Sequence, residues 1–238
     1  MPQVLLFDLD DTILRFSTGQ PNFWQLALEC HLACSAEHHP RLCAHIERVS
    51  DEYWCEPERA FRGRQDLHAA RRAIARAALL AEGLSLDLCE RIADEVTDRE
   101  EAHVRPFDGA VAALHALRER GHRLALLTNG SGLFQRRKLQ RFTLEPLFEL
   151  ILIEGELGYG KPDARVFQAA LDFFAAAAGD TWMIGDNLEA DIAGAQALGI
   201  HGVWHDPDGR GLPERPPAVP ARVIRQVADL LAEPALAH

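Results

Sequence analysis

Short apolar segments that alternate with helical patterns are the feature that most constrains how this chain can fold. Helical patterns cover Asp108–Arg120, Gly132–Phe142, Asp163–Ala176 and Leu188–Leu198. Strands that alternate with helices of this length are typical of βαβ units, and nearly continuous apolar runs fit strands covered on both faces. The sequence therefore predicts an α/β fold with a Rossmann-like parallel sheet. Its five strand-like segments are Val4–Leu9, Arg123–Thr128, Leu150–Ile153, Thr181–Gly185 and Gly199–Trp204.

The chain between the first and second of these strands has a different character. From about residue 15 to about residue 105 it shows amphipathic helical patterns and no convincing strand. This stretch is too long for a single crossover and long enough for a small helical bundle. We therefore predict an α/β core of residues 1–14 and 106–238 and an inserted α-helical domain of residues 15–105. After a proline-rich link at 212–221, Arg222–Ala232 is predicted to form a final helix.

The overall charge and hydropathy argue against several classes of function. The chain has 238 residues and a formal net charge of −11 at pH 7, whereas general nucleic-acid binding needs a basic face that displaces phosphate counterions. It has no run of about 18 apolar residues that would span a membrane, and no basic region typical of a signal peptide. We expect a cytoplasmic monomer or homodimer that binds neither nucleic acid nor a membrane.

The cysteines all lie in the inserted segment, close to several histidines. Their odd number, without a secretion signal, indicates free thiols in a reducing compartment. A zinc site is an alternative, but the segment lacks the C-x2-C pairs of the usual structural sites. We interpret these residues as small, partly buried side chains on helices. They are Cys30, Cys34, Cys43, Cys55 and Cys89.

Four short polar motifs follow strands of the predicted sheet. They are DLDDT at 8–12, TNGSG at 128–132, GKPD at 160–163 and GDNLEAD at 185–191. Each motif alone is also compatible with a turn or a helix cap. Because parallel strands end at one shared edge, where ligands bind, we expect Asp8, Thr128 and Asp186 to converge.

These residue types together fit phosphoryl transfer. Asp8 and Asp186 can supply the hard oxygen ligands that Mg²⁺ prefers, which would also relieve the repulsion between carboxylates. A carboxylate can attack phosphorus and form an aspartyl-phosphate, and Asp10 can protonate the leaving oxygen and then activate water. Thr128 and the backbone N–H groups near 129–132 can cradle phosphoryl oxygens, and Lys161 adds a positive charge.

The four motifs, in this order, resemble those of the haloacid dehalogenase superfamily, and the long helical insertion resembles its C1-type cap. The resemblance implies that Asp8 is the nucleophile and Asp10 the acid and base. It places the motif hydroxyl on Thr128 and the motif lysine on Lys161. Substrate phosphate would contact Thr128, Asn129 and Lys161.

The same resemblance implies a magnesium site. The metal would take side-chain oxygens from Asp8 and Asp186 and the backbone oxygen of Asp10, with Asp191 as a supporting acid. Mg²⁺ is accordingly the expected cofactor, and a small phosphorylated metabolite is the expected partner.

The superfamily contains several reaction types, and the residues favour one of them. Halide needs no proton when it leaves, so a dehalogenase gives Asp10 no task. Phosphonate cleavage would need an amine in the cap, and no lysine lies between Arg15 and Arg105. We therefore expect a phosphatase. A phosphomutase uses the same aspartates and stays an alternative, as do a 2-haloacid dehalogenase and a non-catalytic regulator that binds a phosphorylated metabolite.

Substrate choice is expected to depend on the inserted domain, which carries several arginines in an otherwise acidic chain. Arg62 and Arg64 flank Gly63 and would hold a second anionic group if they faced the cleft. The alternative is an ordinary solvated helix face. The segment HDPDGRG at 205–211 is predicted to be a turn near the site.

Overall fold

The computed structural model describes residues 4–17, 21–32, 38–83 and 85–232. It divides into two units, one formed by the chain up to Arg15 and from Arg105 onward, the other by Phe16–Val104. These bounds lie one residue away from the predicted ones. Among the described helices, none combines the length and the apolar character needed to cross a membrane.

The inserted unit consists of helices packed around one apolar cluster that includes Leu28, Ile46 and Ile92. Three of these helices begin after a side chain that accepts hydrogen bonds from their first N–H groups, as Asp66 does from the N–H of Ala69. A Cβ on Gly63 would lie 2.9 Å from both Tyr53 and Trp54, so glycine permits this close helix contact. The helices are α1 Phe23–His31, α2 His38–Trp54, α3 Pro57–Gln65, α4 Leu67–Ala81 and α5 Asp87–His103.

The α/β unit is built on a six-stranded parallel sheet, which confirms the predicted fold class. The strands are β1 Val4–Phe7, β2 Leu14–Arg15, β3 Arg105–Pro106, β4 Arg123–Thr128, β5 Leu150–Ile153, β6 Thr181–Gly185, β7 His201–His205 and β8 Arg222–Ile224. The order in the sheet is β5-β4-β1-β6-β7-β8, and β2 pairs with β3 in a separate antiparallel ribbon.

The helices of this unit follow the strands much as predicted. After β6, Leu188–Ala193 forms a π-helix, where a regular α-helix was expected. On one face of the sheet, Leu6, Ala125 and Phe167 belong to a single apolar core. The helices are α6 Ala110–Glu119, α7 Gly132–Arg141, α8 Glu154–Leu157, α9 Ala164–Phe174 and α10 Gly194–Gln196.

The predicted final helix over Arg222–Ala232 is wrong. Its first residues form β8, which pairs in parallel with β7, and only Val227–Leu231 forms a short 3₁₀ helix. The carboxylate of Asp229 accepts hydrogen bonds from the N–H groups of Arg225 and Gln226, both at about 3 Å. These donors are therefore satisfied without an α-helical turn, while Ile224 is buried at the sheet edge.

Candidate active site

The predicted site residues come together because of the strand order. β1 lies between β4 and β6 in the sheet, so Asp8 follows the central strand while Thr128 ends one neighbour and Asp186 follows the other. Carboxylate oxygens of Asp8, Asp186 and Asp191 lie within 4.8 Å of one another. The expected convergence at the carboxyl edge of the sheet is therefore present.

Lys161 neutralises part of this acidic cluster. Its Nζ lies 2.5 Å from Oδ1 of Asp8 and 2.7 Å from Oδ1 of Asp191. All three side chains are buried. Burial opposes the charged amine, but the two carboxylates outweigh it and raise the pKa of Lys161 above its ordinary value. The ammonium is therefore held at the nucleophile proposed from the sequence.

One ammonium is too little charge for three carboxylates. Burial raises the pKa of Asp8 to about 7, with Asp191 and Asp10 adding repulsion against the attraction of Lys161. Burial, followed by repulsion from Asp8 and Asp191, raises the pKa of Asp186 to about 9. A further cation is needed to keep both groups ionised at neutral pH.

The donor set fits Mg²⁺, which prefers a few carboxylate oxygens together with waters and substrate phosphate. Asp8 and Asp186 are the residues that would hold it. Asp191 is engaged elsewhere, because its Oδ1 faces Lys161 and its Oδ2 accepts from the N–H of Asn187 at 2.9 Å. A Cβ on Gly185 would lie only 2.2 Å from Oδ2 of Asp191, so glycine leaves room for this carboxylate. The backbone contribution of Asp10 stays a prediction.

The loop after β4 is tied to the loop that carries Lys161. The side-chain amide of Asn129 donates to the carbonyl of Lys161 at 2.7 Å and accepts from its N–H at 2.8 Å. In this structure the side chain of Asn129 therefore links two backbone segments. The proposed contact of Asn129 with substrate stays a prediction. The N–H of Gly130 donates to buried Glu154 at 2.9 Å, so it is not among the free backbone donors expected near 129–132.

Sequence reasoning missed two side chains that contact Asp10. Nζ of Lys138 lies 2.8 and 2.7 Å from the two carboxylate oxygens of Asp10. Gln135 donates to the same carboxylate at 2.9 Å and to Oγ1 of Thr128 at 2.6 Å. One signal was available: Lys138 and Lys161 are the only lysines among the 25 lysine and arginine residues of the chain. Each is bonded to one aspartate of the DLD motif.

The end of β7 supports the site from a position outside the four motifs. Trp204 donates from its indole nitrogen to the carbonyl of Asp186 at 2.7 Å, and Nδ1 of His205 donates to the carbonyl of Asp11 at 2.8 Å. Burial lowers the pKa of His205. The segment after it forms the predicted turn, closed by hydrogen bonds from the N–H groups of Arg210 and Gly211 to Asp206.

The remaining candidates belong to the helical unit. Arg62 is exposed, with Glu58 at 3.5 Å on the same helix, and Arg64 is half-buried. Their proposed contact with substrate stays a prediction. Cys34 lies outside the described residues, and the other four cysteines are free thiols. Within the described part of the chain, the aspartate cluster is the one group suited to a metal, so the zinc alternative gains no support there.

Comparisons with known proteins agree with this geometry. The family model for haloacid dehalogenase-like hydrolases matches residues 2–199. Phosphoserine phosphatase from Thermus thermophilus is 42% identical over 139 residues, which is 58% of this chain and 55% of that enzyme. The chain spans about half the length of this enzyme and of two further curated relatives that it matches.

Solved structures extend the likeness to nearly the whole chain. HAD-hydrolase YfnB from Bacillus subtilis, whose crystal structure contains magnesium, has a TM-score of 0.73 and 26% identity, with 96% of each chain covered. A 2-haloacid dehalogenase from Pseudomonas syringae pv. Tomato has a TM-score of 0.59 and 26% identity, with 97% of each chain covered. Solved structures named as a dehalogenase and as a phosphatase both share this fold.

Proposed function

The chain belongs to the haloacid dehalogenase-like hydrolases, and from this premise we propose that it is a Mg²⁺-dependent phosphomonoesterase. Its substrate is a small phosphorylated metabolite, and the reaction proceeds through an aspartyl-phosphate on Asp8. The observation that carries the proposal is the buried contact of Asp8 with Lys161, beside an acidic cluster that needs a cation. The likeness to a phosphatase named for phosphoserine supports the substrate class.

The first half-reaction uses Asp8 as nucleophile. One carboxylate oxygen of Asp8 forms a bond to phosphorus while the ester P–O bond breaks, and its electron pair goes to the leaving oxygen. Asp10 delivers a proton to that oxygen, so an alcohol leaves. Lys161 and the hydroxyl of Thr128 stabilise the charge on the phosphoryl oxygens. When bound, Mg²⁺ supplies positive charge that favours ionised Asp8 and Asp186 and offsets the charge of the phosphate.

The second half-reaction returns the enzyme to its starting state. A water molecule loses a proton to Asp10 and attacks the phosphorus, and the bond between phosphorus and Asp8 breaks. Inorganic phosphate is released and the carboxylate of Asp8 is regenerated. Asp191 and Asn129 take no part in these transfers. The carboxylate of Asp191 holds the ammonium group of Lys161. The side-chain amide of Asn129 holds the backbone of Lys161.

A 2-haloacid dehalogenase is the second candidate, because one similar structure has that activity. The carboxylate of Asp10 favours the phosphatase, because halide leaves without a proton and makes no use of an acid two residues after the nucleophile. A phosphomutase shares every residue of the site and differs only in transferring the phosphoryl group to a sugar phosphate instead of water.

The test is a screen of the purified protein against a panel of phosphomonoesters, with Mg²⁺ and with a chelator, measuring free phosphate. Release of halide from a 2-haloacid and transfer between sugar phosphates are measured in parallel. We expect phosphate release that requires Mg²⁺. Asp180→Asn serves as a control, because this carboxylate is exposed and precedes β6. Halide release without phosphatase activity would replace the proposal with the second candidate.

A further inference from the structure

Two side chains of α7 contact the aspartate to which the acid and base role is assigned. Lys138 donates to both carboxylate oxygens of Asp10, and Gln135 donates to one of them. The side chain of Lys138 is 13% exposed and that of Asp10 is 25% exposed, so this ion pair is largely shielded from water. Such a shielded pair fixes geometry more firmly than an exposed one.

The helix places these two residues together. Positions 135 and 138 are three residues apart and therefore lie on one face of α7. Because α7 begins at Gly132, directly after the TNGS loop, this face lies against the end of β4. Leu139, on the same side of the helix, is fully buried. The polar pair is therefore part of the packed face of α7.

Gln135 also sets the direction of the hydroxyl of Thr128. Its Nε2 lies 2.6 Å from Oγ1 of Thr128, 2.9 Å from Asp10 and 3.2 Å from the carbonyl of Asn129. The amide nitrogen can only donate, so Oγ1 of Thr128 accepts this bond. The hydroxyl of Thr128 itself donates to the carbonyl of Asn129 at 3.4 Å, a long hydrogen bond that a better acceptor can replace. A phosphoryl oxygen is such an acceptor.

We propose that Gln135 and Lys138 are positioning residues for catalysis: together they hold the carboxylate of Asp10 where it reaches the ester oxygen and turn the hydroxyl of Thr128 into a donor. This inference rests on the proposed phosphatase function. It adds two functional residues, on a helix, to the motifs that follow the strands. It also gives the second lysine of the chain a task distinct from that of Lys161.

The test compares leaving groups in four variants. Lys138→Met and Gln135→Leu remove the donors, and Lys138→Arg keeps the positive charge. Arg137→Met is the matched control, because it removes a cation from the adjacent, exposed position of the same helix. The esters are β-glycerophosphate, whose alkoxide must be protonated, and p-nitrophenyl phosphate, whose nitrophenolate leaves without a proton.

A misplaced catalytic group costs about 10²-fold in rate, so we expect the single-turnover rate of phosphoenzyme formation from β-glycerophosphate to fall by about that factor in Lys138→Met and Gln135→Leu. The loss for p-nitrophenyl phosphate is expected to be about tenfold smaller, because general acid help matters less for a good leaving group. KM should stay nearly constant. Lys138→Arg should recover a large part of the lost rate, and Arg137→Met should resemble the wild type.

Equal losses for the two esters in the single-turnover rate of phosphoenzyme formation, or changes in KM or melting temperature alone, would overturn the inference. A crystal structure of Lys138→Met gives a readout that does not depend on turnover: the carboxylate of Asp10 is expected to change rotamer, and an unchanged rotamer contradicts the proposal. If Lys138→Met does not fold, Gln135→Leu is measured in the same way. A wild type that hydrolyses no ester refutes the proposed function, and the rotamer of Asp10 still decides the positioning role.

Discussion

Replacing Asp186 by asparagine is expected to stabilise the metal-free protein while removing its response to Mg²⁺. Asp186 has a pKa raised to about 9, through burial and through repulsion from Asp8 and Asp191. At neutral pH the folded state therefore retains a proton that the unfolded state has lost. Asparagine has a similar shape and no ionisation, so the variant does not carry this energetic cost.

The size of the effect follows from linkage between protonation and folding. With an ordinary pKa of 3.8, the whole pKa shift, from burial and from repulsion, would lower the free energy of unfolding by about 6 kcal/mol at about pH 8. Asp186 is half-buried, so water screens the repulsion, and we expect about 2 kcal/mol. For a protein of this size that raises the melting temperature by about 4–8 °C.

The stability of the metal-free protein is expected to depend on pH in one direction. Because the pKa is raised in the folded state, the folded protein binds more protons than the unfolded chain between about pH 4 and pH 9. Stability of the metal-free wild type therefore falls as pH rises through this window. The advantage of Asp186→Asn should be small near its lower end and largest near its upper end.

The assay is thermal melting in EDTA and in Mg²⁺, across this pH range, with Asp180→Asn as the control. Mg²⁺ at about a hundred times its Kd should add about 2.7 kcal/mol to the wild type and little to Asp186→Asn. If the variant melts at or below the wild-type temperature in EDTA at the alkaline end, the repulsion inferred from the structure is absent. Equal stabilisation of both proteins by Mg²⁺ would remove Asp186 from the metal site.

Three further predictions concern neighbouring residues. Asp8→Asn should leave the fold intact and abolish phosphate release, since an amide is a poor nucleophile; retention of more than a few per cent of turnover would contradict a covalent role. Asp10→Asn should slow alkyl phosphates by about 10²–10⁴-fold and p-nitrophenyl phosphate less in the formation of phosphoenzyme, and equal slowing in single turnover would argue against the acid. Gly185→Ala should displace Asp191, which would lie 2.2 Å from the new Cβ, and lower stability by about 1–3 kcal/mol. Gly179→Ala, where no atom lies within 4 Å, is its control in melting and activity assays.

Local patterns were sufficient for the parts of the site that follow strands. Asp8, Thr128 and Asp186 each follow or end a continuous apolar run, and parallel strands must end at one edge, so their convergence was predictable. The roles of Gln135 and Lys138 were not predictable in this way. Polar residues on a helix are usually interpreted as part of its solvated surface. Which face of the helix is buried depends on how the helix packs against the sheet, and the sequence of the helix alone does not give this.

The prediction of a helix in the carboxyl-terminal segment was wrong for a related reason. The spacing of Val223, Val227 and Leu230 fits a helix, but Arg222–Ile224 instead pairs with β7, which lies on the other side of the proline-rich link. Glu154 was missed because its partner, the N–H of Gly130, is 24 residues away. Contacts between distant segments thus account for what sequence patterns did not predict.

The position of β1 in the middle of the sheet has a consequence for biosynthesis. The ribosome makes Val4–Phe7 before the other strands of this sheet, but 115 residues lie between Phe7 and Arg123, where its first partner strand begins. At roughly 5–20 residues per second, this apolar segment waits about 6–23 s for β4, and longer for β6. All the residues of the apolar cluster in the helical unit lie between Phe23 and Val96, so they are synthesised before β4 exists. Translation therefore delivers the strand before the nucleophile as an unpaired edge, and the acidic cluster cannot assemble until the chain has passed Asp191.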